Sequence, residues 1–325
     1  IGSAFEIFFG SVFRGELGQD CTMRPLSRFT VAMLDIKHEH YVIDPTCGSG
    51  GFLLEVLLQV WNKLDRDYAG RRELERIKTD FALNQVYGIE IHDILARICK
   101  INLLLHHDGH TNIEGDKSCL DTEFTKERLK LGKENFNVVV GNPPFGDTIK
   151  EGDEDQLGKS SLEDFEVSAG RSQIPSEHII VEKSIKMLKD DGLLGLVLPD
   201  GVFNNQGELS NCPLLRNYLV KQGRVLAVVS LPDYAFRKSG AQNKTSILFF
   251  KKFNYDQRTA FENAYDAQIA NGASDEQAII AALSANPYRV FMAEANFIGY
   301  SSTGALMEKN DLYRGSEGGH LDDDQ

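Results

Sequence analysis

Residues 41–51 read Tyr-Val-Ile-Asp-Pro-Thr-Cys-Gly-Ser-Gly-Gly, and an apolar stripe at helical spacing follows them. The stripe consists of Phe52, Leu53, Val56, Leu57, Val60, Trp61 and Leu64. A strand, a glycine turn and a helix in this order bring backbone close to a ligand at the start of the helix. Taken alone, the pattern is a weak signal that favours nucleotide or dinucleotide binding.

A second stretch, Asn142-Pro143-Pro144-Phe145, follows the Val-rich run 136–141, which predicts a buried parallel strand. The turn is stiff because two successive prolines fix φ and donate no N–H. Open α/β sheets bind ligands beyond the carboxyl ends of their strands. The amide oxygen, the first proline carbonyl and the phenylalanine ring therefore suit an amino group on a planar ring. A proline-terminated strand with a core phenylalanine is the alternative interpretation.

The two stretches together, Asp-Pro-x-x-Gly-x-Gly and Asn-Pro-Pro-Phe, resemble the amino-directed S-adenosylmethionine-dependent methyltransferases. Within these they resemble the adenine-N6 DNA methyltransferases, and specifically the modification subunits of type I restriction-modification systems. The similarity runs from Phe5 to about Leu312 and includes the Leu-Pro-x-x-x-Phe turn at 231–236. It implies a class I, Rossmann-like α/β fold with a seven-stranded, mostly parallel sheet and helices on both faces.

The resemblance also implies the residues of the site. As catalytic residues it implies Asn142, Pro143, Pro144 and Phe145. As residues that bind the cofactor, S-adenosyl-L-methionine, it implies Gln19, Cys21, Thr22, Asp44, Thr46, Cys47, Gly48, Ser49, Gly50, Glu90, Asp116 and Asn142. Cys21 stands where the family usually has an aromatic residue, and Met23 where it usually has proline. A plain interhelical loop is the alternative for residues 18–25.

Two acids follow short predicted strands. Glu90 lies near the end of the apolar run 86–91, and an acid there can accept hydrogen bonds from both ribose hydroxyls of an adenosine. Asp116 matches the family's acceptor for the adenine amine of the cofactor. A surface glutamate and a turn-forming aspartate are the alternatives. The cluster His-His-Asp-Gly-His at 106–110 contains zinc-ligand types, but no second ligand cluster accompanies it, so we expect no metal.

The charge of the chain bears on its partners. Lys and Arg number 35 and Asp and Glu 48, a net charge of −13, without a basic stripe. Because tight binding of duplex DNA needs clustered basic residues, we expect weak binding by the chain alone. The resemblance implies an assembly on DNA with a specificity subunit and a second copy of the chain, to which a restriction subunit could be added. The helices after Asn254 are the expected docking surface.

Three segments are expected: an N-terminal helical segment 1–40 with a cofactor-contacting loop, a methyltransferase domain 41–253, and a C-terminal helical extension 254–325 with a mobile acidic tail. The polar stretch 146–175 is expected to be a lid or a target-strand contact, disordered without DNA. Five cysteines without a C-x-x-C pair indicate free buried thiols in a reducing cytoplasm. The apolar runs are too short for a membrane span.

The implied reaction is methyl transfer from S-adenosylmethionine to N6 of adenine in DNA. The target base would be flipped out of the duplex and stacked on Phe145. Acceptors on Asn142 and Pro143 would receive the two amino hydrogens and favour the charge that develops on N6, without a covalent enzyme intermediate. Two alternatives remain open: methylation of RNA or of a protein glutamine, and a non-catalytic homologue that binds nucleic acid or a partner.

Overall fold

The structure, a computed structural model, describes residue 22 and residues 24–106, 110–129, 135–237 and 244–313. Its helices are α1 (Arg24–Met33), α2 (Gly51–Asp67), α3 (Leu74–Asn84), α4 (Asp93–Leu105), α5 (Thr122–Leu129), α6 (Glu154–Leu157), α7 (Ser176–Met187), α8 (Gly201–Asn204), α9 (Cys212–Gln222), α10 (Tyr255–Ala270) and α11 (Asp275–Ala285). Its strands are β1 (Val42–Asp44), β2 (Val86–Glu90), β3 (Ile113–Gly115), β4 (Phe136–Gly141), β5 (Thr148–Lys150), β6 (Gln173–Pro175), β7 (Leu188–Pro199), β8 (Gly223–Ser230), β9 (Thr245–Lys252), β10 (Phe291–Glu294), β11 (Ile298–Tyr300) and β12 (Leu306–Asn310).

Eight strands form the central sheet, in the order β10-β8-β9-β7-β4-β1-β2-β3. Strand β9 is antiparallel to both of its neighbours, and all other neighbouring pairs are parallel. The predicted mostly parallel sheet is confirmed, but the count of seven strands was wrong. The eighth, β10, pairs with β8 from Phe291↔Ala227 to Glu294↔Ser230. It lacks a core-facing alternation because Phe291 and Met292 are both exposed at the sheet edge.

Helices cover both faces of the sheet. In β4, Val138 and Val140 pack into the core that contains α1 and α2, while Val139 packs into the core that contains α7 and α9. This alternation follows from the two-residue period of strand side chains. Since both faces are buried, the strand reads as a continuous apolar run, as the sequence indicated.

Residues 146–175 fold into an ordered unit, which we call the insertion. The prediction that this stretch is disordered without DNA was wrong. Strands β5 and β6 pair antiparallel across its base, and Glu182 of α7 accepts the N–H groups of Glu166 and Val167 over 3.0 and 2.8 Å. Its apolar side chains are sparse and irregularly spaced, so hydrophobic periodicity does not reveal that they belong to the core. The buried ones are Ile149, Leu157, Leu162, Phe165, Val167 and Ile174.

The chain after Asn254 begins with a pair of helices. Each starts with a capping box: Asn254 with Gln257 in α10, and Ser274 with Gln277 in α11. The pair has a small apolar core that includes Phe253, Phe261 and Ala282. The acidic tail predicted from residue 315 onward lies outside the described residues. No helix in the described part of the chain has both the length and the apolar character needed to cross a bilayer.

Candidate active site

A cavity of about 450 Å³ lies at the carboxyl edge of the sheet. It is bordered by the residues that follow β1, β2, β3 and β4, the position at which open α/β sheets bind ligands. Of the predicted site residues, those that line it are Thr22, Asp44, Thr46, Cys47, Gly48, Ser49, Glu90, Asn142, Pro143, Pro144 and Phe145. Two turns 92 or more residues apart in sequence therefore share one cavity, as expected.

The remaining predicted residues are placed differently. Gly50 is the residue before α2 and does not line the cavity. Gln19 and Cys21 lie outside the described residues. Asp116 is exposed and does not line the cavity, whereas its neighbours Lys117 to Leu120 do. Within the described ranges, no group of three His, Cys, Asp or Glu side chains could hold a metal ion.

The glycine turn, residues 44–50, is tied to β2 and to itself. The Cys47 N–H donates to the Ile89 carbonyl over 2.9 Å, and the Gly50 N–H donates to the Cys47 carbonyl over 2.8 Å. The Gly48 N–H donates to Glu90 Oε2 over 2.9 Å. On α4, the Asn102 amide donates to the Ser49 carbonyl over 3.2 Å. The shape of the turn is thus set by one internal hydrogen bond and by hydrogen bonds with β2 and α4.

Two buried carboxyl groups lie beneath this turn. Burial raises the pKa of Asp44 to about 8; the Thr46 N–H opposes that rise and the Glu90 charge adds to it. Burial also raises the pKa of Glu90, opposed by the N–H groups of His92 and Gly48. Each Glu90 oxygen already accepts one backbone N–H, at 2.8 Å from His92 and 2.9 Å from Gly48. Glu90 therefore shapes the turn as well as facing the cavity.

The proline turn, residues 142–145, presents acceptors. Asn142 Oδ1 is buried and has no hydrogen-bond partner among the described residues. The backbone just before Asn142 approaches Asp44 closely, which requires glycine at position 141. A Cβ on Gly141 would lie 2.7 Å from Asp44 Oδ1. An unpaired buried oxygen is costly unless a donor reaches it, so this one is suited to a ligand that donates hydrogen bonds.

The aromatic residue of the proline turn is braced from a distant part of the chain. The rings of Phe145 and Phe236 meet edge to face with centroids 6.2 Å apart. Phe236 belongs to the Leu-Pro-x-x-x-Phe turn, whose Ala235 carbonyl accepts the Tyr300 hydroxyl over 2.9 Å. The turn at 231–236 thus contacts Phe145, and Tyr300 of β11 is hydrogen-bonded to that turn.

Sequence reasoning missed several residues at the cavity. Gln156 of the insertion and Lys117 line it, and Asn102 supports the glycine turn. None belongs to a motif; Asn102 could have been noticed as a polar residue on the buried face of the apolar helix α4. The thiols of Cys47 and Cys119 also line the cavity. A hydrogen bond with Cys99, together with burial, raises the pKa of Cys47, and burial raises that of Cys119 to about 12, so both stay protonated at neutral pH.

Comparison with known proteins places this site in a family. Residues 1–282 match the family model described as N-6 DNA Methylase. The chain belongs to the N-6 DNA methylase family. Both turns that line the cavity lie within the matched range.

The individual relatives described next are less than 30% identical to the chain. The chain is 27% identical over 238 residues to the methylase subunit of the type I restriction enzyme EcoEI of Escherichia coli, covering 73% of this chain and 43% of that protein. It is 28% identical over 230 residues to the MpnII methylase subunit of Mycoplasma pneumoniae, covering 70% and 38%. The chain therefore spans less than half the length of these relatives.

Solved structures show the same fold. A modification subunit from Vibrio vulnificus YJ016, assigned to a type I restriction enzyme, superposes with a TM-score of 0.62 at 22% identity, over 77% of this chain and 48% of that one. A Listeria monocytogenes protein assigned to the class I S-adenosylmethionine-dependent methyltransferases gives 0.55 at 16% identity, over 87% and 68%. The class I methyltransferase fold predicted for this member of the N-6 DNA methylase family is confirmed.

Proposed function

We propose that this chain transfers a methyl group from S-adenosylmethionine to the N6 amine of adenine in DNA, as the catalytic part of a modification subunit. The observation that carries the proposal is the buried, unpartnered Oδ1 of Asn142, a residue that lines the same cavity as the glycine turn. An N-6 DNA methylase needs a cofactor and an amino group side by side. This cavity offers one turn for each.

The glycine turn fits the cofactor. Thr46 Oγ1 is buried without a partner among the described residues, and Glu90 keeps lone pairs that could accept ribose hydroxyls. Helix α2 begins at the cavity with no side-chain cap, so its first N–H groups suit a carboxylate. When bound there, S-adenosylmethionine supplies an electrophilic methyl group on a positively charged sulfur. The roles of Gln19, Cys21 and Asp116 toward the cofactor remain part of the proposal.

The proline turn fits the substrate amine. Asn142 Oδ1 and the Pro143 carbonyl, to which no described residue donates, would accept the two amino hydrogens. Acceptors held in place before the reaction favour the positive charge that develops on the amine during transfer. Phe145, held edge to face by Phe236, would stack on the flipped base.

The charge distribution supports a partner for DNA binding. The insertion, which contributes to the cavity wall, contains 8 acidic and 3 basic residues between 146 and 175, a net charge of 3 − 8 = −5. This acidic insertion repels DNA phosphates. A specificity subunit would therefore supply the phosphate contacts and the recognition of the DNA sequence. We place its docking surface, and that of a second copy of the chain, on α10 and α11, where Tyr255, Ile269 and Ile280 are exposed.

The remaining parts of the proposal concern the organisation of the chain. We retain the division into a cofactor-contacting N-terminal segment, a catalytic domain 41–253 and an extension from residue 254. A reducing cytoplasm is consistent with the four described cysteines, which are buried and free: Cys47, Cys99, Cys119 and Cys212.

The test is transfer of tritiated methyl from S-adenosylmethionine to DNA, RNA and protein, by the chain with and without a candidate specificity subunit encoded beside it. We expect N6-methyladenine in duplex DNA, with efficient and sequence-specific transfer only when the subunit is present. Label in RNA or in glutamine would replace the proposed substrate. Efficient, specific methylation by the chain alone would show that the partner is not needed. Failure to bind the cofactor in calorimetry would point to the non-catalytic alternative.

A further inference from the structure

The proline turn is tied to the start of α7 through Ser176. The Ser176 hydroxyl donates to the Pro144 carbonyl over 2.9 Å, and its N–H donates to the Asp147 carbonyl over 3.0 Å. Ser176 is the first residue of α7 and is 3% exposed. One buried residue on a helix therefore holds the chain on both sides of Phe145 and Gly146.

Glu177 adds a second attachment beside the first. Burial raises the pKa of its buried carboxyl, and the N–H groups of Glu177 and Gly146 and the Ser176 hydroxyl oppose the rise. On the other side of Ser176, the pair Thr148↔Pro175 closes the base of the insertion. The ends of the insertion and the proline turn thus converge on the first residues of α7.

Proline chemistry explains why an outside attachment is needed. Pro143 and Pro144 have no N–H, so the turn cannot brace itself with backbone donors at these positions. The N-cap position of α7 is occupied by Pro175, so no side chain caps this helix. Ser176, the first helical residue, donates its hydroxyl to the Pro144 carbonyl over 2.9 Å, and the Glu177 carboxylate is a more distant acceptor at 3.4 Å.

We propose that Ser176 is a positioning residue for methyl transfer: it holds the proline turn so that Asn142 Oδ1 and the Pro143 carbonyl face the substrate amine. Its hydroxyl donates to the carbonyl of Pro144, the residue between Pro143 and Phe145, and all three residues line the cavity. The inference rests on the proposed function. It goes beyond that function by assigning the geometry of the catalytic turn to a residue outside both sequence motifs.

The experiment compares variants in the active assembly identified by the methylation assay. Ser176→Ala should lower kcat about tenfold through loss of one buried hydrogen bond. It should leave the Kd for S-adenosylmethionine unchanged, since the glycine turn and Glu90 are intact. Ser176→Thr keeps the hydroxyl and should restore kcat. Ser184→Ala is the matched control: Ser184 is buried on the same helix and donates only within it, to the Ile180 carbonyl over 2.7 Å.

A double substitution tests whether Ser176 acts through Asn142. In an Asn142→Ala background, Ser176→Ala should cost less than the tenfold loss seen alone, because one of the two acceptors that it positions is gone. Unchanged kcat in Ser176→Ala, an equal loss in Ser184→Ala, or the full loss in the double variant would each overturn the inference. If Ser176→Ala does not fold, Glu177→Ala tests the same attachment and should also lower kcat at constant Kd; an unchanged kcat there overturns it. A wild-type assembly that binds cofactor but methylates no adenine would instead refute the proposed function.

Discussion

The two turns that meet in the cavity are held in different ways. The glycine turn is held by its own backbone and by the adjacent strand β2, through hydrogen bonds from Cys47, Gly48 and Gly50. The proline turn is held from elsewhere in the chain, by the Ser176 hydroxyl and the Phe236 ring. The glycine turn is thus held mainly by its own backbone N–H groups, which pair with the neighbouring strand, whereas the proline turn is held by side chains from other elements.

This difference matches the two tasks that we assign to the turns. A turn whose N–H groups and glycines define its shape provides a constant surface for a cofactor. A turn with two prolines supplies acceptors but few donors, which suits an amine and makes its geometry sensitive to its supports. Substitutions in the glycine turn should therefore change binding or stability, and substitutions in the proline turn should change turnover.

The largest expected effect is in the proline turn. Asn142→Ala should lower kcat by about 10²–10³-fold, by analogy with the loss of one preorganised group that stabilises transition-state charge. The Kd for S-adenosylmethionine, measured by calorimetry, should stay close to that of the wild type. Asn142→Asp keeps an oxygen at this position and should retain more turnover than the alanine variant. Normal turnover in Asn142→Ala would remove the proposed role of this turn.

The glycine turn should respond in stability. Gly50 has φ 89°, and a Cβ there would lie 2.7 Å from Cys99 Sγ. We expect Gly50→Ala to lower the free energy of unfolding by about 2–4 kcal/mol, from strained φ plus overpacking. Gly48 is the matched control, since its φ is 52° but no atom lies within 4 Å of an added Cβ. Gly48→Ala should cost about 1 kcal/mol; equal losses in denaturant melts would show that the Cys99 contact is unimportant.

Substitution of Glu90 should change both the binding of the cofactor and the stability of the protein. Glu90→Ala should weaken S-adenosylmethionine about 10–100-fold, because it removes hydrogen bonds to a charged acceptor. It should also lower Tm, since the N–H groups of Gly48 and His92 lose their acceptor. Glu90→Gln keeps one acceptor oxygen and should lie between the two proteins in both measurements. A normal Kd in Glu90→Ala would contradict the ribose-binding role.

The smallest expected effect is a pH dependence of stability and of cofactor binding, caused by Asp44 at the start of the glycine turn. Its pKa is about 8 when folded and 3.8 in the reference state, so the native protein binds the extra proton between these values. The contribution of Asp44 to stability is therefore full below about pH 4 and is lost as pH rises toward about 8. A bound sulfonium favours the ionised carboxyl, so cofactor binding should release protons and weaken as pH falls below 8. Calorimetry in two buffers of different ionisation enthalpy measures this release, and Asp44→Asn should reduce it; proton uptake would contradict it.

Residue types explain why much of the site could be predicted. Glycines that tolerate left-handed φ and prolines that fix φ constrain the backbone locally, whatever lies around them. Apolar runs such as 136–141 indicate a buried parallel strand for the same reason, since both faces must be covered. The carboxyl ends of such strands meet at one edge, which brought Asp44, Glu90 and Asn142 to a single cavity.

Predictions that depended on pairing between distant residues were less successful. Composition indicated that the insertion was disordered, yet Glu182 and a few scattered apolar side chains order it. Strand β10 exists because the edge of β8 is available, although Phe291 and Met292 remain exposed. Asp116 matched a motif position, but the backbone at φ 57° leaves it outside the cavity lining.

The class of fold, the two turns and their meeting at one edge of the sheet could therefore be predicted from the amino-acid sequence. Local stereochemistry and the two-residue period of strands act over a few residues and can be recognised without coordinates. Which residues hold the proline turn could be seen only in the folded protein, because Ser176 and Phe236 contact it from distant positions in the chain. Such contacts depend on how whole elements pack, and no short pattern in the chain specifies them.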